Sequence, residues 1–206
     1  MVTSHSEAAA RPQGAAAPRR RGAVLERAIL EAALEQLSTV GWNGLTMEAV
    51  AIGAQTGKAA VYRRWPSKVD LVADALRTGF PALEYAPDHG GVREDLYQLC
   101  LRVRAAMYSK PGFALRAVLH ECDHDSADRF HELIFSGVIE PSQRLLREVI
   151  ERGIARGEVR QDAAHELVCD VIPAMMMYRS KVCASEWTDA ELAEMIDRVM
   201  MPLLRP

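Results

Sequence analysis

The chain has 206 residues, 49% hydrophobic and 26% charged, which is the balance of an ordinary folded globular chain. No apolar run approaches the ~18–20 residues that span a bilayer, and the first residues lack the charged-then-apolar pattern of a secretory leader, so a cytoplasmic protein with no membrane contact is expected. The formal net charge of −3 conceals an asymmetry: residues 1–70 carry 9 Lys/Arg against 6 Asp/Glu, whereas residues 71–206 carry 16 against 22, which suits a polyanion-binding head on an acidic body.

Residues 1–21 are rich in Ala, Pro, Gly and Ser and end in Arg19-Arg20-Arg21, the composition of a disordered arm. From Gly22 onward the periodicity is helical and strand-like alternation is absent, so an all-α fold is predicted. The first helix runs from about Ala23 to Val40, with Leu25, Ile29, Ala32, Ala33 and Val40 toward one side, and Gly41 and Gly44 end it. Thr46 is an N-cap for a short helix through about Gly53. A break at Ala54–Gly57 precedes a second short helix, about Lys58 to Arg64, which Pro66 stops. Ser67-x-x-Asp70 then opens another helix in the manner of a capping box.

Two short helices joined by a tight turn, the second rich in basic and aromatic residues, have the shape of a helix-turn-helix. A short helix of this kind enters the major groove end-on, its first residues meeting base edges while flanking groups hold phosphates. The candidate DNA contacts are Thr46, Lys58, Ala59, Ala60, Tyr62, Arg63, Arg64, Trp65 and Lys68. Lys58 sits where a cation reaches a guanine edge or a phosphate. Thr46, Ser67 and Lys68 stand at helix starts, whose free N–H groups favour phosphate. Tyr62 and Trp65 can also act as core aromatics that lock the helix in place, and for Trp65 that role fits as well as DNA contact does.

Residues 29–76 resemble the DNA-binding domain of TetR-family regulators. The resemblance is carried by Ala32-Ala33, Gly41, Thr46, Val50-Ala51, Ala54, Gly57-Lys58, Val61-Tyr62 and Trp65-Pro66-Ser67-Lys68, followed by Leu71. It implies an operator-binding homodimer, usually a repressor that a small ligand releases. Three positions depart from the family pattern. Gln55 stands at the usual turn glycine, which costs ~1–2 kcal/mol if that residue is left-handed. Thr56 replaces a usual apolar residue. Ala60 stands where a hydroxyl often touches DNA, although Ala59 and Ala60 still suit a thymine methyl.

The division expected is an arm (1–21), a helix-turn-helix domain (22–68) and a regulatory, ligand-binding and dimerisation domain (69–206). In the last of these, residues 85–91 contain Pro87, Gly90 and Gly91 and mark a loop. Helices are predicted at about 92–109, 112–122, 126–155, 162–184 and 188–203, with Pro141 kinking or splitting the third. Leu192, Met195, Ile196, Val199, Met200 and Leu203 follow one helix face, and the preceding helix is apolar on several sides. With Leu167, Val171 and Met177, they form the expected dimer interface, the resemblance implying a four-helix bundle across a two-fold axis. A pocket for an unknown small-molecule effector is assigned to Arg102, Met107, Phe113, Arg116, His120, Phe130, Phe135, Met175 and Tyr178, with Leu115 as a further candidate. These residue types serve as plain core just as readily.

Two other readings compete. His120-Glu121-Cys122-Asp123-His124 matches H-E-x-x-H, which on a helix offers zinc two imidazoles and a general base. A third ligand is not evident: Phe130 stands where a further His would be placed, and His131 and Glu140 are loose substitutes. Asp123, Asp125, Ser126 and Asp128 instead suggest the helix ending in a polar loop. A helical interaction protein without DNA binding accounts for the apolar C-terminal helices but not for Lys58–Lys68. Cys100, Cys122, Cys169 and Cys183 are widely spaced and form no C-x-x-C pair, so a disulfide framework is not expected. The sequence therefore points to a DNA-binding regulator that is not an enzyme and has no cofactor or metal.

Overall fold

The computed structural model describes residues 22–122, 128–132, 135–181, 183 and 185–206. The expected arm lies outside them, as does His124. Among the described residues every regular element is helical. Helix α1 (Ala23–Gly44) buries Leu25, Ile29, Ala33 and Leu37, one residue per turn, together with Leu30 and Leu34. Gly41 interrupts it with φ 72° and ψ −175°, so the helix proper stops at Val40 as its sequence predicts. Just past the break, Trp42 is buried and meets Phe130 edge-on, with ring centroids 5.3 Å apart at 82°. Such a pair adds roughly 0.5–1.5 kcal/mol beyond its burial.

Helices α2 (Met47–Gly53) and α3 (Lys58–Tyr62) follow. Thr46 caps α2, its hydroxyl accepting the Ala49 N–H at 3.2 Å. The C-terminus closes as a Schellman motif: the Gln55 N–H donates to Ile52 O at 3.0 Å and the Thr56 N–H to Ala51 O at 2.9 Å. That closure requires a left-handed residue, and Gln55 supplies it with φ 56°. Helix α4 (Lys68–Gly79) starts from Ser67, whose hydroxyl accepts the Asp70 N–H at 3.1 Å and donates to the Asp70 carboxylate at 2.6 Å. The Ser67 hydroxyl, with Arg129 nearby, holds the Asp70 carboxyl below its usual range.

The body comprises α5 (Val92–Met107), α6 (Lys110–Glu121), α7 (Glu140–Ala155), α8 (Glu166–Lys181), α9 (Asp189–Met195) and α10 (Met201–Leu204). Wider π-turns at Phe135–Ile139 and Ile196–Met200 lead into α7 and α10. Each of these two helices has a proline in its first turn, Pro141 and Pro202. A proline ring clashes with the carbonyl four residues back and has no N–H to give it, and a π-turn opens the space the ring needs. The break expected at Pro141 is therefore present and takes this form.

Two sequence-based boundaries move. Helix α8 begins at Glu166 rather than near 162, because the preceding backbone is held elsewhere. The Arg160 N–H donates to Leu204 O at 2.9 Å, and Arg147 Nη1 donates to Ala164 O at 2.7 Å. His165 then acts as the cap, its Nδ1 accepting the Leu167 N–H at 3.2 Å. Helix α6 begins at Lys110, two residues early, because Ser109 caps it and Pro111 fits its first turn.

Two buried clusters organise the chain. The first joins α1 to α4 with Ala114, Leu115 and Val118 of α6 and with Phe130. The second joins α5, α7, α8 and the α9–α10 segment, around Leu99, Leu146, Ile172, Met176 and Leu192. Helix α6 packs on α1, α4 and α5, so it lies between the two.

Candidate nucleic-acid interface and cavity

The first cluster decides which helix-turn-helix residues face outward. Val50, Ala51, Ala54 and Val61 turn inward, and Trp65 follows them: it is 6% exposed, and its indole N–H donates to the Asp74 carboxylate at 3.0 Å. Trp65 thus takes the core role and leaves the outer face. Lys68 also turns inward, donating from Nζ to Trp42 O at 2.8 Å and lying 4.0 Å from the centre of the Trp42 ring. Its cation satisfies a carbonyl at the α1 break, a partner 26 residues away that local pattern cannot reveal. Arg64 is half-buried and folds back toward Ala60 O at 3.4 Å.

Thr46, Lys58, Ala59, Tyr62 and Arg63 are exposed and Ala60 is half-buried. Gly57, the residue before α3, has no side chain to cap the first N–H groups, and nothing lies within 4 Å of where a Cβ would stand. The start of α3 is therefore open to an anion or a base edge. Lys58 pairs with Glu48 of α2 and lies 5.3 Å from the centre of the Tyr62 ring. The hydrogen bond with Lys58 holds the Glu48 carboxyl below its usual range, and the same bond raises the Lys58 ammonium. Glu48 was not among the candidates, nor was Ile52, which is exposed. Glu48 was legible only as one charge on a short helix.

A cavity of about 120 Å³ lies where the two clusters meet. Met107 and Arg116 line it, as the sequence reading expected, and so does Leu115. The other assigned residues stand elsewhere. Phe130 is fully buried against Trp42. Arg102 stacks on Tyr85 at 4.7 Å and donates to its carbonyl. Phe113, His120, Phe135 and Tyr178 are exposed, and Met175 packs against the second cluster away from the cavity wall. The walls missed include Phe80, Leu99, Leu119, Leu146, Ile172 and Met176. Met177, assigned to the dimer face, also lines the cavity.

The remaining dimer candidates divide. Leu192, Met195, Ile196 and Met200 belong to the chain's own core, so they are not free to meet a partner. Leu167 is 70% exposed, Leu203 is exposed, and Val171 and Val199 are half-buried. Tyr178, at 60% exposed, joins Leu167, Val171 and Ala174 in one stripe along α8.

The H-E-x-x-H reading loses its base. The Glu121 carboxylate accepts the Asn43 N–H at 2.9 Å and sits against Gly41, where an added Cβ would be 2.5 Å from Oε1. Its second histidine, His124, lies outside the described residues.

Comparison with known proteins gives two family matches. Residues 29–75 match the model described as "Bacterial regulatory proteins, tetR family", and residues 86–199 match "Tetracyclin repressor-like, C-terminal domain". An HTH-type transcriptional regulator of Mycobacterium tuberculosis is 29% identical over 183 residues, covering 87% of each chain. The DNA-binding transcriptional repressor TetR of Mycobacteroides abscessus is 27% identical over 187 residues, 90% of this chain and 97% of that one. Among solved structures, a TetR transcriptional regulator from Agrobacterium tumefaciens superposes with a TM-score of 0.67 at 18% identity, covering 88% of this chain and 94% of its own.

Proposed function

The chain belongs to the TetR family of bacterial transcriptional regulators, a non-enzymatic family, and from that membership we propose that it is a repressor that binds a palindromic operator as a homodimer and is released by a small-molecule ligand. The observation that carries this reading is the open start of α3, where Gly57, Lys58, Ala59, Tyr62 and Arg63 stand exposed on a helix whose Val61 is locked in the core. Lys58 and Arg63 meet phosphates or guanine edges, Tyr62 and Thr46 hold the backbone, and Ala59 and Ala60 let the helix approach closely.

The dimer is proposed to form along Leu167, Val171, Ala174 and Tyr178 of α8, with Val199 and Leu203 as further contacts. An exposed apolar stripe of this kind marks an interaction face. Two copies paired about a two-fold axis present two α3 helices, which read successive major grooves if they stand about 34–36 Å apart.

Release is proposed to travel along α6. That helix supplies Leu115, Arg116 and Leu119 to the cavity and ends at Glu121, which holds the Asn43 N–H at the α1 break. Trp42 in the same break receives Lys68 from the start of α4. A ligand that favours another position of α6 therefore shifts the base of the head and takes the two α3 helices out of groove register.

Selection of bound fragments from random-sequence DNA by the purified protein tests the reading. The expected product is an inverted repeat with half-sites centred about one helical turn apart. A selection that enriches no sequence over the input library overturns it.

A further inference from the structure

We propose that the cavity between the two clusters takes a monoanionic carboxylic acid with a compact apolar body, its carboxylate held by Arg116. This deepens the ligand-release reading and rests on it, adding the chemistry of the ligand. Among the described residues that line the cavity, Arg116 alone is charged; Ser142 and Ser180 also line it, and most of the remaining wall is apolar, including Phe80, Leu99, Leu115, Ile172 and Met176. A volume of about 120 Å³ is close to the roughly 150 Å³ of an apolar cavity that admits one benzene ring, so the body is one ring or a short chain.

The Arg116 side chain is held in place on the cavity wall. Its guanidinium lies 4.3 Å from the centre of the Phe113 ring and 5.2 Å from that of Tyr108, and Nη1 donates to the Ser180 hydroxyl at 3.1 Å. These contacts fix its plane and favour its charge without neutralising it. Of the other arginines of the body, Arg93 pairs with Asp197, Arg104 with Asp189, Arg156 with Glu158 and Arg179 with Glu191, whereas Arg102, Arg147 and Arg152 are held by backbone carbonyls away from the cavity. Among the described residues no carboxylate pairs with Arg116. A guanidinium has five N–H donors in a planar fork that matches a carboxylate, and one of Arg116's is spent on Ser180. A cationic ligand is repelled here, and a dianion brings one charge that nothing in the apolar wall balances.

Calorimetric titration of the full chain with benzoate and octanoate, and with their uncharged counterparts benzamide and octan-1-ol, tests this. The acids are expected to bind at least about tenfold tighter than their counterparts. Arg116→Gln should weaken acid binding roughly 10–100-fold and leave the counterparts within about twofold, since a hydrogen bond to a charged group is worth about that much. Arg116→Lys, which keeps the charge and loses the fork, should fall between. The wild-type comparison and Arg116→Lys decide the matter if Arg116→Gln does not fold. Counterparts that bind as tightly as the acids overturn the ligand class and leave the cavity reading standing, as does acid binding that survives Arg116→Gln. If none of the four binds, both readings fall. Acids that bind as expected but leave an operator complex intact uphold the ligand class and overturn release.

Discussion

Gln55 and Gly157 solve the same backbone problem with different residues. Both stand at the left-handed position of a Schellman closure, with φ 56° and 75°. In the second, the Gly157 N–H donates to Ile154 O at 3.0 Å and the Glu158 N–H to Gly153 O at 2.9 Å, the same ring of bonds as at Gln55. Glycine adopts this conformation freely, whereas a residue with a Cβ pays about 1–2 kcal/mol, partly offset by the lower unfolded-state entropy of a non-glycine chain. Gln55→Gly is therefore expected to raise unfolding stability by about 0.5–1 kcal/mol in chemical denaturation. A loss of stability would show that the Gln55 side chain makes a compensating contact. The residue pattern gave the question and the backbone angle answered it. Lys68 illustrates the opposite case, since a lysine at a helix start reads as a phosphate ligand until Trp42 O is found beside it.

Helices were the most legible elements because each rests on local signals: apolar residues at helical spacing, Thr46 and Ser67 as caps, and Gly41 and Gly44 as stops. The start of α8 was not, because a histidine cap and an Ala164 carbonyl held by Arg147 leave no local mark. The cavity was least legible. Whether a buried Leu or Met faces a void depends on how α5, α6, α7 and α8 pack together, and periodicity marks only that it is buried. The α1 break is the element on which the head and α6 meet. Gly41→Ala must both accept φ 72° and displace the Glu121 carboxylate, so a loss of at least about 1–2 kcal/mol is expected from denaturation. A neutral result contradicts the packing of α6 against that break. Helix starts also set the acid limit. The Val92 N–H holds the Glu158 carboxyl below its ordinary 4.5, with Arg156 assisting, and the Thr188 N–H and hydroxyl do the same for Glu191. Because the folded values are depressed, the stabilisation is complete above about pH 4.5 and is lost as the pH falls through the folded values. Replacing both with Gln should lower stability at neutral pH and flatten its decline as the pH falls below about 4.5. An unchanged decline assigns the acid sensitivity to other carboxylates.

At the scale of the whole molecule the two clusters divide the work. One fixes α3 with its Lys58–Tyr62 edge outward, and the other presents the α8 stripe, with α6 and the cavity between them. On the proposed reading, operator affinity depends on pairing of two copies. Leu167→Glu combined with Tyr178→Glu is expected to give a folded monomer by sedimentation, with operator binding reduced to that of a single head; a variant that remains dimeric moves the interface off this stripe. On the proposed reading, α3 grips DNA electrostatically through Lys58. The most direct test is operator affinity by fluorescence anisotropy across a salt series, for wild type and Lys58→Ala. Wild type is expected to bind tightly with strong salt dependence, and the variant more weakly, with a salt slope shallower by about one per replaced phosphate contact. Operator binding with the same affinity and the same salt slope in both proteins would contradict that reading.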